Sequence, residues 1–233
     1  MVQASKTKLN ILTIAFLLVQ AALYALILTT DGNILVAAEY TAIVLCFIFA
    51  VLHIKKGESI LIAGLGFTVV ADYFLVVASP QQKLWGMIAF LITQTFYAIR
   101  LEKANRGKAS VFIRLVLTIF GILLAAIVLG KNIDALALVS ICYYINLIMN
   151  IFAAFRHFSQ NRLFAIGLVL FLLCDTVIGL QVASGGYLPI AEGSLLYKII
   201  FAPFHLSWFF YLPSQVLIAL SAVFTCGKGK GEL

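Results

Sequence analysis

Ser59-Ile-Leu-Ile-Ala-Gly-Leu-Gly-Phe-Thr-Val-Val-Ala-Asp-Tyr-Phe-Leu-Val-Val-Ala78 runs for twenty residues with a single ionisable acid, Asp72. Twenty apolar residues in a helix match the ~30 Å hydrocarbon core of a bilayer. An acid inside such a run costs about 2.5–3.5 kcal/mol at the centre of a membrane helix, so it needs a reason to be there. The stretch therefore predicts both a membrane-spanning helix and a functional group within it.

Seven further runs of the same kind surround it. The predicted spans are about 11–29, 34–53, 59–78, 84–101, 111–129, 135–155, 163–183 and 201–224. Composition agrees: 64% of the 233 residues are hydrophobic, 11% are charged, and the mean hydropathy is +1.11. Soluble domains are roughly 45–50% apolar and about 25% charged, so a soluble globule, a disordered chain and a disulfide-stapled secreted fold are all excluded. The fold class expected is all-α, a polytopic membrane bundle of about eight transmembrane helices forming one domain over residues 1–233. The turn signals Asp31-Gly32-Asn33, Ser79-Pro80-Gln81-Gln82, Arg106-Gly107-Lys108 and Gly130-Lys131-Asn132 separate the runs. Only the seventh connection, Ser184 to Lys198 with Gly185-Gly186 and Pro189, reads as a longer surface loop. The first run follows Lys6 and Lys8 but lacks an A-x-A cleavage site, so it reads as an uncleaved anchor.

The net charge of +7 comes from basic residues scattered between apolar blocks, which speaks for topology and against nucleic acid. Lys6, Lys8, Lys55, Lys56, Arg100, Lys103, Arg106, Lys108, Arg114, Arg156, Arg162, Lys228 and Lys230 fall on one side of the membrane. Lys83, Lys131 and Lys198 fall on the other. The positive-inside rule then sets both termini in the cytoplasm of a multi-pass cell-membrane protein. Cys46, Cys142, Cys174 and Cys226 all sit in apolar stretches and read as buried thiols. The pattern G-L-x6-D occurs at Gly64–Asp72 and again, 103 residues later, at Gly167–Asp175. It suggests two four-helix halves in parallel orientation, with the fourth helix aligning with the eighth if the long connection is an insertion.

Glu39, Asp72 and Asp175 are the acids within spans. Counted from the nearer helix end, all three lie about 8–12 Å below the outer face. Equal depth permits a shared site. Thr68 shares a helix face with Asp72, and Asn146 and Asn150 share one face of the sixth helix with Tyr143 nearby. These four residues, with Gln94, His205 and Gln215, are candidate pocket residues. Thr, Asn and Gln also serve as hydrogen-bonding glue between membrane helices, and His205 beside Trp208 and Tyr211 suits the membrane interface. G-x-S-x-G, H-E-x-x-H, P-loop and G-x-G-x-x-G motifs are missing. His53 and His157 fall away from the acids, so no metal or other cofactor is expected, and paired-carboxylate chemistry or ion coupling remains.

Four segments carry a resemblance. Leu61–Leu75 resembles the "aGL.fS..GD..L" signature of the YhhN-like (lysoplasmalogenase) membrane family. Phe90–Tyr97 is similar to its "F...H..Y" segment, Gly167–Asp175 to its "Ga.lF..SD" helix and Tyr211–Ile218 to its "Y..aQ.li". The order is the same and most of the chain is covered. The chain departs from the pattern at Ala71, Gln94 and Cys174, and Glu39-Tyr40 replaces an expected Lys-Pro pair. The resemblance implies an eight-helix hydrolase that cleaves the vinyl ether of lysoplasmalogens to a fatty aldehyde and a glycerophospho-ethanolamine or -choline. It maps the family's catalytic aspartates onto Asp72 and Asp175. Its partners would be a lysophospholipid-like substrate and membrane lipid. One carboxylic acid would protonate the vinyl β-carbon while a carboxylate steadies the cation and orients water. The alternatives are a proton-coupled lipid or small-solute transporter, which three acids at one depth would also suit, and a non-catalytic family member.

Overall fold

A computed structural model describes residues 11–53, 58–102, 108–130, 133–185, 190–202 and 204–224. Lys6, Lys8, Lys55, Lys56, Lys103, Arg106, Gly107, Lys131, Asn132, Gly186, Pro189, Pro203, Cys226, Lys228 and Lys230 lie outside the described residues. The helices are α1 (Ile11–Thr29), α2 (Gly32–Leu52), α3 (Ser59–Asp72), α4 (Lys83–Glu102), α5 (Lys108–Leu129), α6 (Ala135–Arg156), α7 (Phe158–Ser184), α8 (Leu195–Ile200) and α9 (Leu206–Ser221). A π-helical turn, Tyr73–Val77, continues α3, closed by the bond from Ala78 N to Tyr73 O at 2.8 Å. No strand occurs among the described residues. Seven segments, Ser59–Val77 among them, are long and apolar enough to cross a membrane.

The eighth expected span differs. Where one helix over 201–224 was anticipated, α9 covers only sixteen residues, and part of the long connection folds as α8. Two local signals account for the break. Ser194 caps α8 by accepting from Tyr197 N, and a proline at 203 biases its predecessor away from helix. The seventh span also begins earlier than expected, at Phe158, with non-helical dihedrals at Asn161.

Neighbour contacts make a closed ring, α2–α3–α4–α6–α7–α9 and back to α2, with α1 lying against α2 and α9 and α5 against α6. The tightest seams are α3/α4 and α7/α9, and both rest on a glycine. A Cβ on Gly64 would lie 2.4 Å from Tyr97 Cε1, and one on Gly167 would lie 2.8 Å from Ile218 Cγ1 and 3.0 Å from Ser214 O. Thr93 Oγ1 donates to Gly64 O at 3.1 Å across the first seam. Small residues that admit a neighbouring backbone are how helices pack closely in lipid. The two seams correspond residue for residue: Phe90, Thr93, Gln94 and Tyr97 of α4 recur 121 residues later as Tyr211, Ser214, Gln215 and Ile218 of α9.

Outward faces are apolar. Ile127 is 80% exposed on α5, and Phe112 and Val128 on the same helix are exposed as well, a coat suited to acyl chains. Inside α9, Pro213 has no N–H to give Phe209 O; Tyr24 OH donates to that carbonyl instead, at 3.1 Å.

Candidate functional site

Asp72 ends the α-helical part of α3 at the π turn, and π turns inside helices recur at functional sites. Its side chain is 3% exposed, and Tyr211 OH of α9 donates to its Oδ2 at 2.6 Å. Asp175, half-buried on α7, accepts through its Oδ2 from Tyr143 OH of α6. The two tyrosines rest on one aromatic floor. Phe90 lies 5.8 Å from Tyr143 and 6.4 Å from Tyr211, centroid to centroid, and Phe171 lies 6.3 Å and 5.3 Å from the same rings. Phe171 sits one helical turn before Asp175, so the residue that bears an acid and the ring beneath it share a face of α7. Trp208, 5.0 Å from Tyr211, closes one side.

The acids share one electrostatic neighbourhood. Asp72 interacts with both Asp175 and Glu39, and Tyr40 and Cys174 interact with Asp72 as well. Glu39 is 6% exposed. Among the described residues no Lys, Arg or His forms an ion pair with any of the three acids. No hydrogen bond reaches Oδ1 of either aspartate among those residues, so each carboxylate is held by one oxygen and open at the other.

The other expected pocket residues separate into groups. Tyr143 belongs to the site. Thr68 Oγ1 turns to Gly64 O at 3.2 Å and lies 3.5 Å from Thr93 Oγ1, in the α3/α4 seam. Asn146 and Asn150 face Arg114, not the acids. Arg114 Nη1 donates to Asn146 Oδ1 at 3.2 Å, Nη2 to Asn150 Oδ1 at 2.9 Å and Nε to Glu102 at 3.2 Å. Asn150 Nδ2 in turn donates to Gln94 Oε1 at 2.9 Å. Arg114 was grouped with the basic residues of one membrane side; it lies six residues into α5 and is 8% exposed. A buried guanidinium needs polar partners, and the two asparagines supply them. His205 caps α9 beside the α1–α2 turn, its Nε2 3.3 Å from Thr30 O and 3.4 Å from Asp31. Gln215 is fully buried one turn beyond Tyr211, with no partner for either amide atom among the described residues.

Sequence reasoning set Tyr211 beside His205 at the interface and gave Phe171 no role. The signal was available: Tyr211 opens the segment that contains Gln215, and Phe171 is four residues before Asp175. Two open apolar grooves of about 370 and 400 Å³ run along α2/α3 and α1/α2, lined by residues such as Phe47, Gly66 and Val70, and Ile34, Ala38 and Thr41. Neither is lined by the aspartates.

A family model described as the YhhN family matches residues 35–222, most of the chain and every residue of the site. Neither a curated protein nor a solved structure matches.

Proposed function

We propose, starting from the fact that this chain belongs to the YhhN family, that it is a membrane hydrolase that opens the vinyl ether of lysoplasmalogens. One observation carries the reading. Two aspartates, Asp72 buried and Asp175 half-buried, are each held through Oδ2 by a tyrosine hydroxyl over the same aromatic floor, and among the described residues their Oδ1 atoms are unclaimed and neither has a cationic partner. The chemistry then follows from two carboxyl groups. The acid form of one gives its proton to the vinyl carbon remote from oxygen. The double-bond electrons make the new C–H bond, and an oxygen lone pair completes an oxocarbenium ion. The carboxylate form of the other faces that cation and takes a proton from the attacking water. As the hemiacetal breaks its C–O bond, its hydroxyl proton passes to the first carboxylate and the second carboxyl protonates the departing glycerol oxygen, so the aldehyde and the glycerophospho-alcohol leave and both carboxyls are back in their starting forms. Water is the only co-reactant.

The apolar, aromatic surroundings of the two acids suit this route, because fixed dipoles act more strongly on a developing cation where water is excluded. With Arg114 turned inward, the bias of twelve basic residues against three supports both termini in the cytoplasm and the acids in the outer half of the membrane. A single-chain lipid reaches that depth from the outer leaflet. Glu39, a third acid at this level with no ion pair among the described residues, favours the second reading, a proton-coupled carrier.

The test is aldehyde release from lysoplasmenyl-ethanolamine by the purified protein, compared with Asp72→Asn and Asp175→Asn. Loss of a hundredfold or more in both variants, in protein that remains folded, supports the hydrolase. Release that persists in both removes the two-carboxylate mechanism. Silence of the wild type, together with substrate-dependent proton uptake in liposomes, points to the carrier.

A further inference from the structure

The duplicated helices carry two equivalent glutamines that the fold treats differently. On α4, Gln94 Oε1 accepts from Asn150 and is tied through it to Arg114. On α9, Gln215 occupies the matching place, four residues past Tyr211 as Gln94 is four past Phe90. Gln215 is 0% exposed, yet neither Nε2 nor Oε1 finds a partner among the described residues. Burying an amide without hydrogen bonds is costly, and natural interiors rarely leave both ends of one amide unmet. Gln215 lies one helical turn past Tyr211 and so shares the face of α9 from which the Tyr211 hydroxyl holds Asp72.

A donor and an acceptor offered side by side suit a hydroxyl, which can accept from Nε2 and donate to Oε1. We infer that Gln215 is a substrate-binding residue that holds a hydroxyl against Asp72, belonging either to the free glycerol hydroxyl of a lysolipid or to the water that attacks it. The inference rests on the hydrolase reading for the identity of the lipid. Its structural part, that the amide is kept for a ligand and not for the fold, stands on Gln215 alone.

The experiment uses the full chain in nanodiscs and compares Gln215→Met, which keeps the volume without the hydrogen bonds, with Gln94→Met. Without added lysolipid, Gln215→Met melts at or above the wild-type temperature, whereas Gln94→Met melts lower because Asn150 loses an acceptor. A Gln215→Met fall as large as that of Gln94→Met would show a structural role and overturn the inference. With lysoplasmenyl-ethanolamine, Gln215→Met loses at least tenfold in kcat/KM; a change within twofold also overturns it. The 2-O-methyl derivative of that lipid separates the two hydroxyls. If the glycerol hydroxyl is held, the loss is in KM, and the variant no longer discriminates between lipid and derivative. If water is held, the loss is in kcat, and the discrimination is that of the wild type. Should the wild type release no aldehyde, the hydrolase reading fails separately, and a saturated 1-O-alkyl lysophosphoethanolamine becomes the probe. A thermal shift in wild type that is absent from Gln215→Met then upholds the ligand role; equal shifts in both, or none in either, overturn it.

Discussion

Gly64 and Gly66 stand two residues apart on α3 and answer opposite demands, so replacing each by alanine separates packing from helix propensity. A methyl on Gly64 would sit 2.4 Å from Tyr97 Cε1 and 2.9 Å from Cδ1. Ordinary carbon contact begins near 3.4 Å, so ring and helix must part by about 1 Å. The ring has little room to yield, since Tyr97 is wholly buried and packs edge-on against Phe164 at 5.2 Å. Opening the seam also stretches the 3.1 Å bond from Thr93 Oγ1 to Gly64 O. Overpacking of this kind costs about 1–3 kcal/mol. At Gly66 the new methyl would meet only Phe47 Cε2 at 3.4 Å, an ordinary contact. Both substitutions gain the same ~0.5–1 kcal/mol from replacing glycine inside a helix. Propensity therefore cancels in the comparison. Gly66→Ala is expected to match or exceed wild-type stability, and Gly64→Ala to fall below Gly66→Ala by about 1–3 kcal/mol. Reversible unfolding in bicelles, monitored by circular dichroism, measures the difference. Equal stabilities for the two variants, or a Gly64→Ala protein more stable than wild type, would refute the close-approach argument for the α3/α4 seam.

Two further outcomes follow from named bonds. Tyr211→Phe removes the donor to Asp72 Oδ2 and is expected to lower stability by about 1.5–3 kcal/mol, as for hydrogen bonds to charged groups, and to cut aldehyde release at least tenfold; unfolding and product assays on the same preparation check both. Tyr24→Phe should cost about 0.5–1.5 kcal/mol in the wild-type background because it leaves Phe209 O without a donor. In a Pro213→Ala background, where the helix supplies that donor itself, the cost should vanish, and a double-mutant cycle reads the coupling directly.

The membrane bundle was legible because the signal is one-dimensional. A span such as 59–78 needs only length and apolar content, and lipid enforces helix wherever both are met. The last span was less legible for the same reason. Residues 201–224 are apolar enough to read as one span, but the proline at 203 turns its predecessor away from helix and α9 begins only at Leu206, so local backbone chemistry outweighs hydropathy there. Depth along a helix was readable too, which is why Asp72, Asp175 and Glu39 could be placed at one level. Azimuth was not. Asn146 and Asn150 lie on the same helix as Tyr143, yet they meet Arg114 while Tyr143 meets Asp175. Which face of α6 turns to which neighbour depends on ring order, and no periodicity in so uniformly apolar a helix declares it. Arg114 misled for a related reason: near a span's end, a basic residue reads as a topology marker, and only packing reveals that its guanidinium turns inward.

The π turn after Asp72 acts as a vernier between two fixed scales. Below it, α3 is indexed to α4 by the Gly64–Tyr97 contact; above it, Leu75 is indexed to the start of α4 by Gly86, and Phe74 O by Gln82 N at 3.0 Å. An uninterrupted α-helix would rotate everything beyond Asp72 by about 100° for the one residue gained or lost. Deleting a single residue from 73–77 would thus leave the chain's chemistry intact while mis-clocking one graduation against the other, and the acid at the zero mark would be the first to lose alignment.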